Sequence, residues 1–255
     1  MADAPDAAPQ ERERADSDTR NTDTELTLPE AVLMLALGDE EGRIDVDDRA
    51  ALPFGLAAAV LLTLASRGRI RHEDDLWTVA DDTPTGDPAL DPALRAMAAS
   101  GDDPRGTMHW LRALPGVTTD DEGDEDGLRD HMLRHLTAEG VLEEKEHRFL
   151  GVYPYRRYPT VDPDPEQRVR AQVRRVVLEG EKPDERALAL IALMEACGLT
   201  HDVFDAKEHD DAGERLDELT EDARVARAVS SVNEETTAAV LTATSAATAA
   251  ATHPL

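Results

Sequence analysis

The chain has 255 residues, with 55 acidic and 27 basic side chains, a formal net charge of −28 and 3% aromatics. That length supports a large core, and a single cysteine, Cys197, excludes an internal disulfide framework and a cysteine-based zinc centre. No apolar run approaches the roughly 20 residues that cross a bilayer, and residues 1–20 lack the apolar stretch of a secretory signal, so the reading is a cytoplasmic protein.

In chain order, residues 1–25 are acidic and nearly free of large apolar side chains, which predicts a disordered tail. The ordered domain is expected over 26–251. Thr27-Leu28-Pro29-Glu30 has the pattern of a capping box with proline in the first turn. Residues 31–37 are apolar nearly all round, as in a deeply buried helix, and Gly38 is its expected stop. A second apolar helix is predicted over 53–66, ending at Gly68. A hairpin follows, with strands over 69–72 and 76–79. Beyond the loop 81–91, short helices are predicted over 92–99, capped by Asp91, and over 107–114. Residues 115–126 read as an acidic linker.

The next unit repeats the pattern: a helix over 128–138, a stop at Gly140, a strand from 141–144, a turn at 145–147 and a return over 148–153. The remainder reads as helical: 164–178 capped by Asp164, 183–197, 201–204, 212–219, and a final helix over 222–251. Helix–glycine–hairpin thus occurs twice. The fold class that follows is mainly α: a single globular helical domain with two helix–β-hairpin, winged-helix-like units.

Acids occupy nearly every loop, and lysine is confined to Lys145, Lys182 and Lys207, a pattern of adaptation to a high-salt cytoplasm. At about 1 M salt the Debye length is about 3 Å, so self-repulsion is screened. Against that background, residues 148–175 stand out, with seven arginines against three acids and four of the eight aromatics. Val169, Val173 and Val176 follow the helical i, i+4, i+7 spacing and face a core. Arg168 and Arg175 fall on one flank, Arg170 and Arg174 on the other, so the helix is expected to present arginines outward. Guanidinium groups grip phosphate bidentately, and tyrosine suits a membrane–water interface. Two readings stay open here: a site for anionic phosphate or lipid headgroups, or arginines that pair with surrounding acids.

Other constellations carry less. Arg67 to His72 straddles a helix end, where cations complement the exposed carbonyls. His131 and His135 have an i, i+4 metal-ligand spacing but neither a third ligand nor the glutamate of a zinc protease. Cys197 ends an apolar helix face and reads as core. No phosphate-binding glycine loop or other catalytic signature occurs, so no enzyme activity and no cofactor are implied.

Several segments, in order, resemble the Golgi phosphoprotein 3 family. They are Leu26-Thr27-Leu28-Pro29-Glu30 through Leu37-Gly38-Asp39 and Gly42, then Leu64-Ala65-Ser66-Arg67-Gly68-Arg69-Ile70. The second hairpin with Tyr158-Pro159, Glu166-Gln167-Arg168, and Arg186-Ala187-Leu188-Ala189-Leu190-Ile191 continue the match. The resemblance implies a helical bundle wrapped by amphipathic helices and hairpins, and a peripheral membrane protein. Relatives bind phosphatidylinositol 4-phosphate and act as adaptors that retain glycosyltransferases. It implies a membrane-contact hairpin at 141–158, with Phe149, Leu150 and Tyr153 as its apolar contacts. Of the family's four pocket positions, Arg168 matches, and the others fall on Asp48, Ala57 and Ala171.

The expected function is therefore a non-enzymatic peripheral adaptor on the cytoplasmic face of a membrane. Its headgroup-binding residues are Arg156, Arg157, Arg168, Arg170, Arg174 and Arg175. Its partners are an anionic membrane lipid and the cytosolic tails of membrane proteins, with oligomeric state open. The alternative is a winged-helix nucleic-acid-binding regulator, which the net charge disfavours because such binding needs a broad basic footprint.

Overall fold

The computed structural model describes residues 25–37, 51–74, 76–101, 103–117, 127–149 and 153–226, together with 242 and 244. The expected N-terminal tail and the C-terminal helix beyond 226 fall almost wholly outside the described residues.

Two helices form the centre. Helix α1 (Leu28–Ala36) is buried at every residue, including Glu30. Its start is the predicted capping box: the Thr27 backbone N–H and hydroxyl both donate to Glu30 Oε2, at 2.8 and 2.7 Å. Helix α2 (Leu52–Ser66) packs along α1 and is buried on all sides from Gly55 to Leu64. Its run of small residues lets a neighbour approach closely. A Cβ on Gly55 would fall inside the van der Waals shell of Cys197 Sγ. Gly68 ends α2 with φ +68°, a left-handed conformation that glycine adopts without a side-chain clash.

Strands β1 (Ile70–Glu73) and β2 (Leu76–Val79) form the first hairpin, with Ile70 opposite Val79 and His72 opposite Trp77. A third strand that sequence patterning missed, β3 (Arg105–Gly106), pairs with β2. Two residues carry no periodicity, so only the pairing reveals it. Trp77 is 2% exposed, and its indole N–H donates to Thr107 Oγ1 at 2.9 Å. Between β2 and β3 lies α3 (Asp91–Ala99). Asp91 is the first residue of α3 rather than its cap. Its carboxylate instead accepts from Thr85 N, Thr85 Oγ1 and Gly86 N, which folds the preceding loop onto the helix. Helix α4 (Thr107–Ala113) ends in a single tight turn over Leu114–Gly116.

Helix α5 (Leu128–Ala138) has the predicted bounds, and Gly140 follows it with φ +77°. The second hairpin is displaced from its expected register. Its strands are β4 (Lys145–Phe149) and β5 (Tyr153–Arg157), so residues 145–147, expected as the turn, are ladder. Lys145-Glu146-His147 is polar enough to imitate a turn. In the sheet, however, Glu146 stands opposite Arg156, a favourable cross-strand pairing of opposite charges.

The C-terminal part comprises α6 (Asp164–Leu178), α7 (Glu185–Ala196), the short α8 (Thr200–Val203) and α9 (His209–Ala226). Asp184, not Pro183, starts α7, its carboxylate accepting from Ala187 N at 2.7 Å. Helices α6 and α7 pack on α1, and α9 packs on α6 and α7. The separate helices expected at 212–219 and from 222 are continuous as α9, because nothing at 220–222 breaks the backbone. The molecule is mainly helical, and one contiguous apolar core runs from Leu26 to Leu219.

Candidate functional site on the arginine helix

Helix α6 is held by Val169, Val173, Val176 and Val177, all buried against the core. Its N-terminus is not capped by Asp164, which is already helical. Pro163 stands at the cap position, and Asp162 just before it accepts from Asp164 N through Oδ1 at 3.1 Å. At about 100° per residue, Arg168 and Arg175 lie within about 20° of each other around the helix. Both are exposed. Arg175 Nε donates to Glu181 Oε2 at 3.0 Å across the chain reversal that follows α6.

Arg170 and Arg174 do not point outward as expected. Their flank adjoins the valine face, and α8 and the start of α9 pack there. Arg170 Nε donates to Glu166 Oε1 at 2.7 Å, and its Nη1 donates to the Asp202 carbonyl. Arg174 makes a two-pronged pair with Glu208, Nη1 to Oε2 at 2.9 Å and Nη2 to Oε1 at 2.6 Å. Its Nη1 also donates to the Val203 carbonyl at 3.1 Å. Hydrogen bonding to Arg174, with a backbone N–H from Asp205, holds the Glu208 carboxyl below its ordinary value. The same pairing with Glu208 pushes the Arg174 guanidinium up.

On the hairpin, Arg156 Nε lies 3.2 Å from Glu144 Oε1, and Arg157 sits opposite Lys145, half-buried. Tyr158 is buried beside them, and burial raises its phenol above the ordinary value. Phe149 stands opposite Tyr153 in the ladder, and Leu150 lies outside the described residues.

The other sequence candidates are distributed through the fold. Arg67 and Arg69 close the end of α2, where Arg67 N donates to the Thr63 carbonyl at 3.1 Å. Arg69 pairs with Asp81, whose carboxyl is held low first by Thr83 and also by Arg69. His131 is buried with Nδ1 at 2.6 Å from Arg134 Nη2, while His135 Nε2 lies 3.4 Å from Glu30 Oε1. The two imidazoles thus have different partners, and no group of three ligating side chains suited to a metal occurs among the described residues. Cys197 is buried, in keeping with its apolar helix.

A cavity of about 440 Å³ lies elsewhere, where the start of α1, the end of α2 and the start of α7 meet; Leu26, Leu62, Arg67 and Arg186 are among its lining residues. Arg186 donates to the Leu26 carbonyl there, so its guanidinium ties α7 to the start of α1. Of the family's pocket positions, Arg168 and Ala171 are exposed on α6, Ala57 is fully buried in α2, and Asp48 lies outside the described residues.

Sequence reasoning missed Glu208 and Glu181 as partners. Glu208 is 34 residues from Arg174, and no periodic or local signal joins them.

Fold and site together define a mainly helical domain in which an arginine-bearing helix follows a cationic and aromatic hairpin in the chain, and no helix among the described residues is long and apolar enough to cross a membrane. Residues 28–236 match the family described as Golgi phosphoprotein 3 (GPP34), and the chain belongs to that family. It is also similar to the vacuolar protein sorting-associated protein 74 of Eremothecium gossypii, 28% identical over 167 residues, which covers 60% of this chain and 49% of that protein. The chain thus spans about half the length of that relative.

Proposed function

We propose that this protein is a non-enzymatic peripheral adaptor that docks on membranes through anionic phospholipid headgroups. The observation that carries the reading is the exposed flank of α6, where Arg168 and Arg175 share one side of a helix fixed by its valines. In this reading Arg156 and Arg157 on β5 are further headgroup cations, and Phe149, Leu150 and Tyr153 are the residues meant to meet the acyl boundary. The sorting role in the name of the relative supports an adaptor, with cytosolic tails of membrane proteins as cargo and the cytoplasmic face as its place of work. Phosphatidylinositol 4-phosphate is the headgroup suggested by the family. With Ala57 buried and Ala171 apolar, Arg168 is the matching pocket cation, so the proposal extends to other anionic headgroups. The acidic, lysine-poor surface fits a protein that works in concentrated salt.

Co-sedimentation with phosphatidylcholine vesicles, with and without anionic or phosphoinositide lipid, tests this. A cation near an anionic surface contributes about 1 kcal/mol, so Arg168→Ala with Arg175→Ala should weaken binding by tenfold or more at ordinary ionic strength. The melting temperature should change little, since neither side chain lies on the valine face. A double variant that loses thermal stability but binds vesicles like the parent would remove the lipid reading for this helix.

A further inference from the structure

We propose that Glu208 is a built-in competitor for phosphate: its carboxylate occupies the guanidinium fork of Arg174 that a headgroup phosphate would otherwise take. This rests on the lipid-headgroup reading above and extends it to the second flank of α6.

The geometry is that of an anion site already filled. Arg174 presents two N–H groups in parallel, and Glu208 answers with both oxygens at 2.9 and 2.6 Å. Carboxylate and phosphate are the two groups that the guanidinium fork accepts in this bidentate way. Arg170, one turn earlier on the same flank, adds a second cation, tied to Glu166 and to the Asp202 carbonyl.

Release of Glu208 would leave that geometry standing. Arg174 keeps its bond to the Val203 carbonyl, and Asp205 to His209 are anchored on either side by buried Val203, Phe204 and Ala212. The side chains of Arg174 and Glu208 are 35% and 27% exposed, so an incoming anion reaches the fork from solvent without opening the core. The Glu208 side chain has to turn away, which also releases the Asp205 backbone N–H that it accepts from at 2.9 Å. The pair is two-pronged, so its displacement calls for the high local concentration of phosphate that a membrane surface presents.

The test compares the full-length parent with Glu208→Gln, Arg174→Ala and both together, on phosphatidylcholine vesicles containing phosphatidylserine or phosphatidylinositol 4-phosphate. Glu214→Gln, an exposed acid on α9, controls for the loss of one negative charge. The proposal expects about a fivefold gain in vesicle binding for Glu208→Gln, the contribution of one freed cation, and less than twofold for the control. Arg174→Ala alone should change binding little, because Glu208 already occupies that cation. In the Glu208→Gln background it should abolish the gain. Titration with inorganic phosphate without vesicles separates the sources: a gain confined to vesicles assigns a lipid phosphate, and an equal gain assigns free phosphate. A Glu208→Gln protein that binds no better than the Glu214→Gln control, with or without a lower melting temperature, overturns the proposal and leaves the pair as a structural clamp. In that case the response to Arg168→Ala with Arg175→Ala still reports on the lipid reading by itself. If neither the parent nor Glu208→Gln binds anionic vesicles, both fall.

Discussion

Gly55 lies near the start of the buried helix α2, and its replacement by alanine separates two effects of opposite sign. In a helix interior, alanine is favoured over glycine by about 1 kcal/mol. At this position the added methyl meets Cys197 Sγ at the end of α7, well inside contact distance. Overpacking of that kind costs about 1–3 kcal/mol, because neighbouring helices must shift. The net effect of Gly55→Ala is therefore a loss of up to about 2 kcal/mol. For a chain of this size that lowers the melting temperature by as much as about 4–8 °C. Cys197→Ala removes the obstructing sulfur. In that background the propensity term is left alone, and Gly55→Ala should stabilise by about 1 kcal/mol. The four proteins form a double-mutant cycle, read by urea denaturation with the slope checked for constancy. The expected coupling is about 1–3 kcal/mol. Coupling near zero, or stabilisation by Gly55→Ala in the parent, would refute the close approach of α2 and α7.

Two further outcomes follow from the polar contacts. Thr107→Val keeps the shape of the side chain but leaves the buried Trp77 N–H without the acceptor it has at 2.9 Å, which should cost about 1–3 kcal/mol by urea denaturation. The second concerns acid stability. Pairing with Arg174 depresses the Glu208 carboxyl, so its contribution is fully present above the ordinary glutamate value of about 4.3 and is lost as pH falls through the lower folded value. Glu208→Gln should therefore be less stable than the parent to heat at neutral pH and converge on it as pH falls through the lowered folded value. A constant difference across that range would show that the stabilisation does not depend on the Glu208 charge.

Periodic and capping signals made much of the helical frame legible. The capping box at Thr27 and the full extents of α5 and α6 follow from apolar spacing, proline position and terminal glycine. Aspartates were harder to place, because the same side chain that caps a helix also closes a loop. Asp91 binds Thr85 and Gly86, and Asp162 rather than Asp164 serves the start of α6. The second hairpin was displaced because charged strand residues resemble turn residues until their cross-strand partners are known. At the candidate site, the valine face and the two arginine flanks were readable from spacing. What the second flank touches was not, since the Asp202 carbonyl and Glu208 lie 32 and 34 residues away in sequence.

The two flanks of the arginine helix differ in exposure more than in pairing, since Arg175 on the exposed side also meets an acid, Glu181. Arg170 and Arg174 are engaged by the protein's own carboxylates and carbonyls, whereas the other flank stays exposed. This exposure bears on how, on the proposed function, a chain of net charge −28 would meet an anionic membrane. Long-range repulsion acts over the Debye length, about 8 Å at physiological salt and about 3 Å at 1 M. Concentrated salt therefore removes the barrier to approach before it removes contacts made at hydrogen-bond range. Arginine suits such contacts better than lysine, because its fixed fork directs two N–H groups at one phosphate, where a lysine ammonium acts mainly as a point charge. A chain with only three lysines, and with seven of its 24 arginines between residues 148 and 175, fits recognition that depends on directed hydrogen bonds more than on net attraction.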